Sequence, residues 1–528
     1  MRQFLSSGHY GLLLVPVCLF AIILAPILLL TPGLMTPHTP TIKEDPIGKV
    51  TAASADDWEL WTSGTRLRGA NVYQRLVYPE VDGPDFMGPG PLGPPYTQAD
   101  LDGLAAAGAN WVQLSHPGLF TEKPPYVLNG DVQDSLDRLL DMVGKAGMKA
   151  TIAFRTGPGR SDFTFYWDGA GEWFDPSYLN DNVWLEQAAQ DAWVDMWRYT
   201  AERYRGHPTV IGYELMVEPN SNDRLLGIWD PEQFYARYGG SLYDWNQLYP
   251  RITAAVRDVD AETPILVGGN DYSNSNWLPY LSVSEDSRTV YIVHQYEPMT
   301  YTHQAADSLH LSYPGVFDAK NDNRLETVDK AWLEGWLSPI DSFRSATGAP
   351  VAISEYGIKR WVPNAASFID DELDIFEARG LNYAVWIWDP VWQAWNNLND
   401  DFSLRDGPDP NNHMEIENQI MTVTSKYWWF NRGGKLVADQ YFAQGSTQPG
   451  FQEYLLVLNE NEQPAHVRVI YMFNDGTSRV QNVTAAGESR MTICVNSFVG
   501  ESKDFSCRVQ ADQTVVSERA TYINDRAY

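Results

Sequence analysis

The chain has 528 residues, 44% of them hydrophobic and 20% charged, with a formal net charge of −30. That composition belongs to a globular protein with a substantial core. It excludes a disordered chain, and it excludes nucleic acid as a partner, because counterion displacement needs a basic face and no Lys/Arg-rich run occurs.

The first feature in chain order is residues 11–30, GLLLVPVCLFAIILAPILLL, which carry no charge and follow Arg2. A helix of that length crosses a bilayer even with Pro16 and Pro26 inside it. No small-x-small cleavage site follows, so a single-pass membrane anchor is expected, with a cleaved signal and a secreted protein as the alternative. Either way the remainder is expected to lie outside the cytoplasm. Residues 31–57 are rich in Pro and Thr and read as a linker.

From Trp58 the text alternates between strands and helices. Short apolar strands are predicted at 67–72, 110–115, 149–154, 209–215, 264–269, 289–294, 350–354 and 382–388. Eight buried strands separated by helices meet the requirement of a closed (β/α)₈ barrel, here over residues 58–435. Thr97 and Asp100 predict a capping box at one helix start. Leu185, Ala189, Trp193, Met196, Trp197, Thr200 and Tyr204 recur at helical spacing, as a stripe packed on the barrel requires.

After Gly433 the pattern becomes apolar/polar alternation with turn residues such as Asn474-Asp475-Gly476, so residues 436–528 predict a small all-β sandwich. Its two cysteines, Cys494 and Cys507, are disulfide candidates in an exported module, with buried free thiols as the alternative.

Barrel enzymes carry their reacting groups at the C-terminal ends of the strands. There the sequence puts Glu218 after the fourth strand and Glu355 in the seventh. His294 and Tyr296 stand at the sixth, Arg155 at the third, and Trp386 and Trp388 at the eighth. Two carboxyl groups with an aromatic floor suit glycoside cleavage, in which one protonates the leaving oxygen and the other attacks the anomeric carbon or activates water. Trp and Tyr faces offer stacking surfaces for sugar rings. Glu214 points into the same interior and is expected to hold the barrel together. Arg155 is read either as a substrate contact or as a neutraliser of neighbouring carboxylates. Tyr166, Trp167 and Trp173 are read as subsites or packing, and residues 399–410 as a solvated loop without calcium spacing.

The stretches ERYRGHPTVIGYELMVEPN, VHQYEP and VAISEYG resemble glycoside hydrolase family 5 and its clan of retaining barrel glycosidases, over roughly residues 60–435. The resemblance implies a glycosidase needing no metal or cofactor, with Glu218 as acid/base and Glu355 as nucleophile. It also implies that Tyr296 holds the nucleophile carboxylate and that Trp386 matches the strand-eight tryptophan, with Trp388 close behind. Two departures stand out. Val217 replaces the asparagine usual before the acid/base, and Gln113 stands where the family has an arginine. Arg155, and as a further candidate Arg160, occupies a strand-three position where histidine is commoner. The terminal module resembles β-sandwich repeats of bacterial surface proteins. A membrane-anchored monomer acting on carbohydrate is therefore expected, with a non-catalytic glycan-binding protein and a transglycosylase as rival readings.

Overall fold

The computed structural model describes residues 57–83, 86–166, 174–392, 400–411, 418–432, 438–474, 477–523 and 526–527. The apolar run 11–30, almost all of the linker, Trp167, Trp173, Asp475 and Gly476 lie outside the described residues. Among the described residues no helix is long and apolar enough to cross a membrane.

Eight parallel strands close into a barrel: β1 (Arg68–Tyr73), β2 (Trp111–Pro117), β3 (Lys149–Thr156), β4 (Val210–Glu214), β5 (Ile265–Gly268), β6 (Thr289–Gln295), β7 (Val351–Tyr356) and β8 (Asn382–Val385). Each strand pairs with the next, and β8 returns to β1. The eighth strand is shorter than its sequence suggests and ends before Trp386.

Helix α1 (Asp57–Thr62) precedes β1. The helices outside the barrel include α2 (Gln98–Ala107), α3 (Gly130–Lys145), α4 (Gln187–Tyr204), α5 (Pro231–Tyr238), α6 (Trp245–Arg257), α7 (Lys330–Trp336), α8 (Ser338–Thr347), α9 (Ala365–Arg379) and α10 (Gln419–Trp428). Helix α2 starts with the expected capping box, the Thr97 hydroxyl accepting from Asp100 N–H while the Asp100 carboxylate accepts from Thr97 N–H at 2.8 Å. Along α4, Ala189, Trp193, Met196, Trp197 and Thr200 are fully buried, each large apolar side chain contributing about 1.5–3 kcal/mol. Leu185 departs from that stripe. It precedes α4 and is 47% exposed. The β5–β6 link carries only a 3-10 turn, Ser275–Tyr280, where the other links carry α-helices.

Side-chain alternation along the strands stacks the barrel interior in layers. Trp61 of α1 packs with Trp111, Ile211, Leu266, Ile292, Ala352 and Ala384, and its indole N–H donates to Ile211 O at 3.0 Å. One layer up is polar: the Gln113 amide donates to Glu214, and its carbonyl accepts from Thr151, whose hydroxyl oxygen accepts from the Trp111 indole at 3.0 Å. Above that layer lies the mouth.

The C-terminal region forms two antiparallel four-stranded sheets. Its strands are β9 (Ala438–Ser446), β10 (Phe451–Asn459), β11 (Ala465–Phe473), β12 (Ser478–Ala485), β13 (Ser489–Cys494), β14 (Asp504–Ala511), β15 (Val515–Ile523) and β16 (Arg526–Ala527). One sheet runs β9–β14–β11–β12 and the other β13–β10–β15–β16. A short helix, Val495–Val499, follows β13 within the region predicted to be all-β. Barrel and sandwich belong to one compact unit, joined where Arg468 donates to Thr422 O of α10 at 3.3 Å and Trp429 meets the His466 ring edge-on.

The disulfide expectation is corrected here. Cys494 and Cys507 are both free thiols. They sit in different sheets, with Cys507 turned into the sandwich core and Cys494 exposed at the end of β13, so no bridge forms.

Candidate active site

Glu218 lies just beyond β4, in a stretch that keeps barrel pairing through Val217 N–H to Phe154 O at 3.0 Å. Its φ is +52°, a left-handed conformation that costs a non-glycine residue energy and tends to persist only where surroundings enforce it. The enforcing group is Arg160. This buried guanidinium donates to the carbonyl oxygens of Val217 and Glu218, both at 2.6 Å, straddling the turn that aims the carboxylate. The loop after β5 braces it from the other side. Asp271, Tyr272 and Ser273 all have positive φ, Tyr272 N–H donates to Pro219 O at 3.1 Å, and Asn222 exchanges hydrogen bonds of 2.9 Å with Asp271.

Glu355 enters from β7, whose register shifts between Ile353 and Glu355. This irregularity lets two consecutive residues reach one ring: Ser354 Oγ lies 3.0 Å from His294 Nε2, and Glu355 Oε2 lies 3.4 Å from His294 Nδ1. The same Nδ1 stands 2.9 Å from Glu218 Oε1, so His294 sits between the two carboxylates. The Tyr296 hydroxyl donates to Glu355 Oε2 at 2.9 Å. An oxygen of Glu218, one of Glu355 and a nitrogen of His294 all lie within 4.8 Å of one another.

These groups line a cavity of about 390 Å³ together with Arg155, Phe165, Trp229, Tyr272, His303, Trp386 and Phe402. The Arg155 guanidinium is 3.7 Å from the Phe165 ring centre and 5.5 Å from those of Tyr73 and Trp386, and its Nε is 3.3 Å from Asp162 Oδ1. It is at once packed, paired and open to the cavity, a placement compatible with either role read from sequence.

Burial pushes Glu355 up to about 7 against the pull of His294, and the neighbouring Glu218 adds to the rise. Burial also works against ionised Glu218, but the hydrogen bond and charge of His294 outweigh it, with Arg155 and Arg160 adding, and Glu218 falls below the ordinary glutamate value. Burial alone would lower His294; the charges of Glu355 and Glu218 reverse this and raise it to about 9. In the unliganded protein, protons therefore favour His294 and Glu355. This reverses the distribution expected for the first catalytic step, because His294 lies closer to Glu218. Glu214, deeper and fully buried, is pushed by desolvation up to about 8 and holds its proton beside Gln113, in keeping with a structural part.

Of the residues singled out in the sequence, Glu218, Glu355, His294, Tyr296, Trp386 and Arg155 meet at this cavity. Trp388 does not. Its indole donates to Asp100 O at 2.9 Å and its ring packs in the main core under Arg405, so its substrate role is withdrawn. Tyr166 is likewise structural, its hydroxyl donating to Asp162 at 3.2 Å. Val217 is fully buried, and Gln113 lies a layer below the mouth. The loop 400–411 is not merely solvated, since Phe402, Ser403 and Leu404 are buried and Phe402 reaches the cavity. Sequence reasoning missed Ser354, Trp229, Asp271, Tyr272, Phe165, His303 and Phe402. Ser354 alone had a signal, its place beside Glu355.

The family model for cellulase (glycosyl hydrolase family 5) matches residues 81–391, more than half of the chain and the whole span from before β2 to past β8. The chain belongs to glycosyl hydrolase family 5. It is a glycoside hydrolase that acts on β-glycosidic bonds. Among curated relatives of this family 5 enzyme, endoglucanase C of Acetivibrio thermocellus is 23% identical over 319 residues, 55% of this chain and 83% of that protein. A β-xylosidase of Phanerodontia chrysosporium is 22% identical over 313 residues, 56% of this chain and 57% of that one. Endoglucanase Cel5A of Thermotoga maritima, a solved structure, has 18% identity and a TM-score of 0.46, covering 63% of this chain and 92% of its own.

Proposed function

We propose that this family 5 enzyme is a retaining β-glycosidase acting on oligo- or polysaccharides, with Glu355 as nucleophile and Glu218 as acid/base. The observation that carries the reading is the approach of the two carboxylates. Their nearer oxygens lie within 4.8 Å, which suits the carboxyl spacing of about 5–5.5 Å in retaining enzymes and falls short of the roughly 6.5–9.5 Å of the inverting arrangement.

The roles follow from surroundings. The Glu355 side chain is 3% exposed and oriented by the Tyr296 hydroxyl, as a group attacking a buried carbon must be. The Glu218 side chain is more open, at 12%, and lines the cavity beside His294. In the first step Glu218 gives a proton to the departing oxygen as Glu355 bonds to the anomeric carbon. In the second, Glu218 takes a proton from water, which displaces Glu355. Glu218 must be protonated at the start, and His294 Nδ1 is the donor within reach at 2.9 Å. A sugar entering the cavity strips water from Glu218 and favours that transfer; His294 Nδ1, 3.4 Å from Glu355 Oε2, then regains a proton from Glu355, so that the net shift is from Glu355 to Glu218 and Glu355 is left as the carboxylate. The apolar run 11–30 supports a location outside the cytoplasm, which fractionation of the native host would test.

The experiment is a pair of variants assayed with an aryl β-glycoside carrying a good leaving group. Glu355→Ala should lose turnover by about 10⁴-fold or more. Glu218→Ala should keep the first step, accumulate the glycosyl-enzyme, and recover turnover with azide. Full activity in both variants would overturn the assignment.

A further inference from the structure

The loop that leaves β3 turns back on itself at once. Gly157 and Arg160 exchange backbone hydrogen bonds of 3.0 and 2.9 Å across a tight turn in which Gly159 has a φ of +71°. A Cβ on Gly159 would lie 2.7 Å from both Val183 N and Ala189 Cβ, so glycine is what lets the turn seat this deeply. Past the turn, Ser161 N–H donates to Asn180 O at 3.0 Å and the Ser161 hydroxyl to Tyr178 O at 2.7 Å. Asp162 therefore stands on braced backbone, at the start of a 3-10 turn (Asp162–Phe165), with its carboxylate facing back toward Arg155.

That carboxylate is held from several sides. Its Oδ2 accepts from the Tyr73 hydroxyl at 2.7 Å and from the Tyr166 hydroxyl at 3.2 Å, and it stands 4.0 Å from Arg75 Nε. Its Oδ1 stands 3.3 Å from Arg155 Nε. Behind it, Arg75 donates to Asp82 Oδ2 at 3.1 Å. Asp82, Arg75, Asp162 and Arg155 thus form a row of alternating charge, every side chain at most 13% exposed.

Buried ion pairs return little net stability, because desolvation offsets their attraction, so stability is a poor reason for such a row. Where the row ends is more informative. Arg155 has Asp162 behind it and, ahead, the cavity that it lines together with Glu218 and Glu355. Phe165, the ring it packs on, also carries the Arg160 cation at 4.6 Å, and like charges on one ring repel. Without the charge of Asp162, the anions left for Arg155 to pair with are those that do the chemistry.

We infer that Asp162 is a positioning residue that tethers Arg155 back from the catalytic carboxylates, leaving Glu218 and Glu355 free to react. The inference rests on the assignment of those two as the catalytic pair. A cation near Glu355 favours the carboxylate that must attack, whereas a cation bonded to it occupies the attacking lone pair. Asp162 keeps the first condition from becoming the second.

The test is a double-mutant cycle of Asp162→Asn and Arg155→Gln, assayed with an aryl β-glycoside. Asparagine keeps an oxygen for the Tyr73 and Tyr166 hydroxyls and removes the charge. Asp162→Asn alone should lower kcat roughly tenfold as the released guanidinium closes on the carboxylates. The acidic limb of its kcat/KM profile should move to lower pH, opposite to the shift in Arg155→Gln, because a closer cation favours the ionised forms. The groups facing Arg155 are Asp162, Arg160 and Tyr166 of its own loop, Tyr73 of β1, Glu218, Tyr296 and Glu355. With Asp162 replaced, the two glutamates are the ones among them that titrate on the acidic side. In the Arg155→Gln background the tether has nothing to hold, so the double variant should match Arg155→Gln in kcat. Losses that multiply, an unchanged kcat in Asp162→Asn, or a limb that moves upward would each overturn the inference. Should Asp162→Asn fail to fold, Tyr73→Phe loosens Asp162 without changing charge and should lower kcat about threefold. No loss in that variant, or a loss that persists beside Arg155→Gln, overturns the tether equally. Survival of turnover in Glu355→Ala would instead overturn the catalytic pair, so the two failures are distinguishable.

Discussion

The two flanks of the catalytic hollow solve different problems with different materials. On one, Arg155, Phe165, Trp386 and Tyr73 are packed against each other, with the cation wedged among aromatic rings and paired to Asp162. On the other, Trp229, Asp271 and Glu297 front an open, acidic trough. The closed flank fixes charge next to the reacting carboxylates, and the open flank offers surface. A site that must both set proton affinities and admit a substrate gains from separating these tasks, because a rigid buried cation holds its field only where nothing needs to move.

That contrast can be broken in order of expected effect. The largest comes from Glu355→Ala, which should abolish turnover on long and short substrates alike because both flanks depend on it. Next is Arg160→Met, which removes the clamp on the Val217 and Glu218 carbonyl groups. Each acceptor left buried without its donor costs about 1–3 kcal/mol, so thermal stability should drop and kcat should fall on every substrate, without a long-versus-short distinction.

Arg155→Gln tests the closed flank more finely. Arg155 holds both Glu218 and Glu355 down, so its loss should raise both and move the acidic limb of the kcat/KM profile toward higher pH. A profile that shifts the other way would show that the cation serves packing alone.

Glu214→Gln probes the layer below. Burial raises Glu214 from about 4.5 to about 8, so the folded state keeps a proton that the unfolded chain releases, and stability falls as pH rises through that window. The variant should lose less stability than wild type between about pH 5 and 8 in thermal melts. The smallest effect belongs to the sandwich. Cys494→Ser, with or without reductant, should leave the melting temperature within error, since neither thiol is bridged.

Arg155 of the closed flank and the carboxylate pair were legible in the sequence, because each stands on a strand or just past one, whereas Phe165 and Tyr73 were not. Period-two alternation and the strand-end rule suffice to aim Arg155, His294 and Glu355 at the mouth. The same rule misled at Trp388, because β8 ends at Val385 and the chain beyond no longer alternates. The open flank was illegible. Trp229 and Asp271 sit on loops whose paths depend on left-handed residues and on side chains such as Asn222 reaching across from another loop, and no periodicity records those. Ser354 stood beside Glu355 in the sequence, but the register shift in β7 that turns it to the His294 ring leaves no mark in composition. The free cysteines show a further limit. Two thiols in one module suggest a bridge until the sheets are seen to separate them.

The last barrel helix carries a consequence for anyone who wishes to trim this protein. Helix α10 packs its Trp428 into the barrel core, while Thr422 accepts from Arg468 and Trp429 touches His466 across the junction. A truncation after residue 432 would strip the cover from Trp429 and leave the barrel's closing helix with a freshly bared patch. Excising the hydrolase as a minimal catalyst should therefore lower its yield and heat tolerance even though every reacting group is retained.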